Sequence, residues 1–144
     1  MRTPAAPRLA AVAAALVLAA GTFTMPVARL PFAGLYTMFA YRPTAAVLLV
    51  VLAVATAALA LRHTPRWTVA LATGAAYVVG RTWWQVAHEH APSRAGRGID
   101  AITSRVPGAI VTQWGLWVLA AAALLLLASA VLLASGEARR GHTA

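Results

Sequence analysis

Residues 106–136, VPGAIVTQWGLWVLAAAALLLLASAVLLASG, run for thirty-one positions without a charge. A membrane-spanning helix needs about 20 mostly apolar residues, within a range of about 17–25. This stretch therefore holds one span with room to spare. Leu9–Ala28 gives twenty uncharged residues between Arg8 and Arg29, and Pro43–Leu61 gives nineteen between Arg42 and Arg62. Arg66 and Arg81 enclose fourteen more, and the next charge after Arg81 is Glu89. None of these runs alternates apolar with polar at period two, as a membrane β-barrel strand would. The pattern predicts an all-α membrane protein in which four transmembrane helices form an antiparallel bundle. The spans fall at about 9–25, 43–61, 67–87 and 114–135, in a single domain covering residues 1–144.

Composition supports the same class. Of the 144 residues 61% are hydrophobic and only 10% charged, whereas a soluble domain is about 45–50% apolar and about 25% charged. A soluble fold of this size could not cover its surface with so few charges, so a soluble globular domain is excluded. The formal charge is +9, from twelve arginines against three acids, with no lysine. Six arginines fall on each side of the four spans, so the charge brackets a lipid bilayer and forms no patch for nucleic acid. Arginine stays protonated, so none of these cations serves as a titrating base or a Schiff-base amine. The chain has no cysteine, which excludes disulfides, thiolate nucleophiles, cysteine-ligated zinc and iron–sulfur clusters. Alanine makes up roughly a quarter of the chain.

Each boundary has a local cause. Pro26 and Pro31 suit the exit of the first span, because proline lacks an N–H and disfavours helix at the residue before it. Pro43 sits in the first turn of the second span, where the missing N–H costs little. Arg62–Arg66 is a tight turn between antiparallel neighbours, with Thr64 expected to cap the third helix and Pro65 at its first position. Pro107 and Gly108 precede the fourth span, and Gly136 ends it ahead of the polar tail. Leu35, Met38, Phe39 and Arg42 suggest a short interfacial helix at about 33–42. Ile99, Ile102 and Val106, opposite Arg97, Asp100 and Ser104, suggest another at about 98–106, inside an outer loop of about 88–113.

Four spans put both termini on one side. Arg2, Arg8, Arg62, Arg66, Arg139 and Arg140 crowd three short segments there, so the positive-inside rule places both termini in the cytoplasm of a bacterial inner membrane. Trp83, Trp84, Trp114 and Trp117 then form an aromatic belt at the outer interface and Trp67 marks the inner one. Arg2, Arg8 and the apolar run up to Ala19-Ala20-Gly21 also resemble a secretory signal, whose cleavage would leave three spans; an uncleaved anchor fits the long apolar run better.

Few residues in this sequence carry chemistry. Thr68, Ala72, Ala76, Gly80 and Trp84 recur every four positions and read as a helix-packing stripe, as do Ala11, Ala15 and Ala19. Arg81 reads as an interfacial side chain, with a lipid phosphate, Glu89 or Asp100 as alternative partners. Arg94, Arg97 and Arg105 are placed to contact anionic headgroups. His88-Glu89-His90 is a weak candidate for zinc or copper, since helical residues two apart diverge and only an extended or turn backbone lets both imidazoles converge. The small four-helix multidrug exporters are similar in length and span number, but they depend on an intramembrane glutamate, and no Asp or Glu lies within these four spans. That resemblance stops at size.

The expected function is a small multi-pass membrane protein, not an enzyme and without cofactors. It acts through helix packing as a subunit or accessory of a membrane complex or as a homo-oligomer, with the lipid bilayer as its surroundings. The alternatives are a protomer of a small transporter or pore, and a membrane enzyme or metal-binding protein using His88, Glu89 and His90.

Overall fold

The computed structural model describes residues 5–30, 34–62, 64–88 and 111–141. Helix α1 (Ala5–Thr24) starts four residues ahead of the span read from the charges and takes in Pro7 and Arg8. First-turn N–H groups have no intrahelical acceptor, so Pro7 removes no bond there. The last turn closes with Met25 N–H donating to the Gly21 carbonyl at 2.9 Å. Pro26 has no N–H with which to continue. The chain then runs through β1 (Pro26–Leu30), β2 (Gly34–Thr37), α2 (Met38–Tyr41), α3 (Pro43–Arg62), α4 (Pro65–His88), β3 (Val111–Thr112) and α5 (Trp114–Gly141).

Two expectations at element boundaries change. Over the stretch predicted as an interfacial helix at about 33–42, residues 34–37 instead pair as a strand and only Met38–Tyr41 is helical. Gly34 sits at φ 88°, in the left-handed region that glycine adopts without steric cost, and it opens the return strand of a hairpin. Thr37 then caps the single turn of α2, its hydroxyl accepting from Ala40 N–H at 3.3 Å. Thr64 was expected to cap α4 with its side chain. Its carbonyl does accept the first helical bond, from Thr68 N–H at 3.2 Å, but its hydroxyl turns back to the Leu59 carbonyl at 3.5 Å. The predicted helix at about 98–106 lies outside the described residues. Of the loop at about 88–113 only the ends are described: His88 closes α4, and Val111–Thr112 forms β3.

The four long helices make a closed ring. α1 packs against α3 and α5, and α4 packs against the same two, while the diagonal pairs make no comparable contact. The C-terminal ends of α1 and α4 meet the N-terminal ends of α3 and α5 around the strands, so every neighbouring pair is antiparallel. The interior is built from leucine and alanine: Leu18, Leu49, Leu116, Leu119 and Leu126 are fully or almost fully buried, with Ala11, Ala46, Ala53, Ala72, Ala75 and Ala130 between them. Small side chains at these positions let helix backbones approach closely. Five buried hydroxyls stay within their own helices. Thr22, Thr56, Thr68, Thr82 and Ser129 each donate to the carbonyl four residues earlier, at 2.6–2.9 Å. The backbone thus satisfies them without an interhelical partner.

The outer surface is apolar as well. Leu16, Val47, Val51, Val54, Leu124 and Leu132 are all exposed, the reverse of a water-soluble bundle. Among the described residues, three helices are long and apolar enough to cross a membrane: α1, α3, and α5 over Trp114–Gly136. α4 has the length at 24 residues but is less apolar, with Arg66, Thr73, Arg81 and Gln85 along it.

One end of the bundle carries a three-stranded antiparallel sheet in the order β2-β1-β3. Ala28 pairs with Tyr36 on one side and Thr112 on the other, and a register shift lies between Pro26 and Ala28. Gln113 N–H extends the contact to the Val27 carbonyl at 3.1 Å. The sheet thereby ties the exit of α1 to the entry of α5.

Candidate functional site

Among the described residues, the aromatic contacts gather at the sheet end. Trp83 on α4 and Trp117 on α5 meet edge to face, with ring centroids 4.0 Å apart and planes at 81°. This is the T-shaped arrangement that aromatic quadrupoles favour. Trp84 points elsewhere. Its ring lies 5.0 Å beneath the Arg81 guanidinium and stacks on His88 at 5.3 Å and 18°. Residues 81, 84 and 88 are three and four apart, so helix geometry alone aligns them in one column on the exposed face of α4. Phe23 at the end of α1 and Phe39 on α2 make a further ring pair at 5.1 Å. Trp114 is exposed at the start of α5, and Trp67 is exposed at the opposite end of the bundle.

Below the Trp83–Trp117 pair, α4 and α5 leave a groove of about 190 Å³, lined by Ala76, Val79, Gly80, Trp83, Ala120, Ala123 and Leu124. The lining residues repeat at i, i+3, i+4 and i+7 on α4, so the groove runs along the helix axis. Sequence reading named the α4 half of this lining in part and missed Ala120, Ala123 and Leu124, which sit in a uniform alanine–leucine run with nothing to single them out.

The stripe Thr68, Ala72, Ala76, Gly80 and Trp84 does not form one face. Thr68 and Ala72 are fully buried, Ala76 lines the groove, and Gly80 and Trp84 are exposed. A four-residue step advances about 40° beyond a full turn, so across four steps the stripe winds from the core to the surface. Its lower half packs within the bundle. The α1 stripe behaves the same way at Ala11 and Ala15, which are buried.

His88, read as part of a loop cluster, is the last residue of α4. Its Nδ1 lies 3.0 Å from the Trp84 carbonyl oxygen, a contact to which only a protonated nitrogen can donate. That ring nitrogen is thereby engaged by the helix terminus. Glu89, His90, Arg94, Arg97 and Arg105 lie outside the described residues. Among the described residues, no three His, Cys, Asp or Glu side chains come together in a way that could hold a metal ion.

A close backbone approach, invisible in the sequence, fixes the geometry of this end. Gly115, in the first turn of α5, sits directly on the Met25–Pro26 backbone: a Cβ there would meet the Pro26 carbonyl oxygen and come within 2.8 Å of Met25 Cβ. The chain matches no protein-family model, no curated protein and no solved structure.

Proposed function

We propose that the chain is a four-span integral protein of a bacterial inner membrane, with both termini cytoplasmic. It acts through helix packing as a non-catalytic subunit or accessory of a membrane complex. The observation that carries this reading is the closed ring of helices with apolar side chains both inside and outside. α4 completes the ring between α3 and α5, and a helix clamped antiparallel between two crossing neighbours shares their depth. Trp67 and Trp84 mark its ends. The seventeen helical steps from Trp67 to Trp84 rise about 25 Å at about 1.5 Å per residue, close to the hydrocarbon thickness of about 30 Å. Arg81 lies one turn from the Trp84 end, folded along an aromatic face, as a snorkelling cation does. Packing is favoured over conduction because leucine and alanine fill the bundle interior and its hydroxyls are satisfied within their own helices.

Span parity tests the architecture. The chain has no cysteine, so single cysteines placed at Thr3 and at Arg139 report their sides directly with an impermeant maleimide. Four spans give both labels on the cytoplasmic face; labels on opposite faces would overturn the four-span reading. Gentle-detergent purification of the tagged chain tests the role. A fixed-stoichiometry membrane partner or a homo-oligomer is expected, whereas ion or solute flux through the purified chain in liposomes would favour the pore reading.

A further inference from the structure

From the groove between α4 and α5 and its neighbouring cation we infer that this end of the bundle holds an anionic phospholipid. One acyl chain lies in the groove and the phosphate sits at Arg81. The inference rests on the membrane reading above.

Size selects the occupant. At about 190 Å³ the groove is too small for another helix, which is about 10 Å across with its side chains. It suits a single hydrocarbon chain. The lining is apolar throughout, and it extends from Ala76 to Trp83, about 10 Å along the helix axis. That axis is the direction in which acyl chains run beside a spanning helix. Gly80 is exposed on its rim, and nothing lies within 4 Å of where its Cβ would be, so the mouth is open to the lipid side.

Charge selects the headgroup. Arg81 follows Gly80 directly, and its guanidinium is held over Trp84, one turn above Gly80 and at the level of the Trp83–Trp117 pair. Stacking on an aromatic face leaves the guanidinium edge free to hydrogen-bond phosphate oxygens in a bidentate fashion. Arg81 and Trp84 do not line the groove but flank its exposed Gly80 rim, and a cation at headgroup depth beside an apolar slot of acyl-chain width complements a lipid with net negative charge.

The test uses the full chain purified in a mild detergent. It is incubated in turn with phosphatidylglycerol and phosphatidylcholine of identical acyl chains, and retained lipid is counted by native mass spectrometry. Wild type is expected to retain phosphatidylglycerol in preference. Arg81→Gln is expected to lower that retention about fivefold, the factor equivalent to about 1 kcal/mol for one basic residue near an anionic surface. Gly80→Leu, whose Cβ enters open space at the groove mouth, is expected to lower retention of both lipids. Equal retention of the two lipids by wild type, or wild-type retention by both variants, would overturn the inference. Alkaline carbonate extraction of native membranes separates the two readings. A chain that leaves the membrane sinks the membrane reading itself, whereas a chain that stays but shows no lipid preference sinks only the lipid site.

Discussion

Replacing Gly115 by alanine adds one methyl group, and its effect can be worked out from the backbone around it. The new Cβ would overlap the Pro26 carbonyl oxygen, stand 2.8 Å from Met25 Cβ and 3.0 Å from the Pro26 carbonyl carbon. Carbon pairs are comfortable at about 3.5–4.0 Å, so α5 must retreat from the Met25–Pro26 segment by something near an ångström. No rotamer change relieves the clash, because the obstacles are backbone atoms and a Cβ. The retreat would pull on the Gln113–Val27 hydrogen bond at 3.1 Å and on the β1–β3 pairing next to it. Overpacking of this kind typically costs about 1–3 kcal/mol. Alanine gains back about 1 kcal/mol of helix propensity over glycine, leaving a net loss of up to about 2 kcal/mol.

Gly136 supplies the internal control, since it lies on the same helix with nothing within 4 Å of its Cβ position. There the same substitution keeps the propensity gain of up to about 1 kcal/mol and meets nothing. Gly74, whose added methyl would touch only Leu52 at 3.5 and 3.6 Å, should fall near or slightly above neutrality. Thermal unfolding in one detergent, followed by far-ultraviolet circular dichroism, should order the variants Gly136→Ala, Gly74→Ala, wild type and Gly115→Ala from most to least stable. A Gly115→Ala protein as stable as Gly136→Ala would refute the close approach, and with it the placement of α5 against the α1 exit.

Three further outcomes follow from the packing. A double-mutant cycle on Trp83→Leu and Trp117→Leu should return a coupling of about 0.5–1.5 kcal/mol, the range for edge-to-face pairs; additivity would mean that the rings do not meet. Leu126→Ala, at a fully buried site, should cost about 2–5 kcal/mol. Leu132→Ala, on the exposed face, should cost far less in the same unfolding assay, and equal losses would dissolve the assigned inside and outside. Thr22→Val should change stability by less than about 1 kcal/mol, because the hydroxyl bonds only the Leu18 carbonyl of its own helix. A larger loss would reveal a partner on a neighbouring helix.

The long helices were legible because their signals are local and redundant. Charges bracket apolar runs, Pro43 and Pro65 open α3 and α4, and Pro26 ends α1. The strands were not legible for two reasons. PVARL and GLYT are too short for a period of two to stand out from chance, and Pro26 and Pro31 read equally well as helix stops. β1 also pairs with Val111–Thr112, about eighty residues further on, and such a long-range partnership leaves no mark in either segment. The four-residue stripe on α4 failed as a single face because its spacing exceeds the helical repeat of about 3.6, an error that accumulates with length. The tryptophans stood out as a set in the sequence, but the division of Trp83, Trp84 and Trp117 into one pair across helices and one column along α4 did not. That division depends on where α5 stands relative to α4.

The sheet bears on depth independently of hydropathy. A β2 strand with an outer edge, and a hairpin whose Gly34 and Leu35 are exposed, cannot sit in hydrocarbon, where each unsatisfied backbone group costs several kcal/mol. The strands therefore mark a level outside the hydrocarbon. From that level α5 carries Trp114 and Trp117 in its first turn, and α4 brings Trp83 and Trp84 to the same height. This is where interfacial aromatics settle. From Trp114 to Gly136 α5 covers 23 residues, about 34 Å at about 1.5 Å per residue, before its polar end with Arg139. The tie between β1 and β3 holds the ends of α1 and α5 at one level, and the Trp83–Trp117 contact holds α4 to α5. The register of α4 against α5 is thus set from this end, and that register brings Ala76 and Gly80 opposite Ala120 and Ala123. Loosening the sheet should therefore open the groove as well as destabilise the bundle, so Gly115→Ala should reduce lipid retention even though Gly115 does not line the groove.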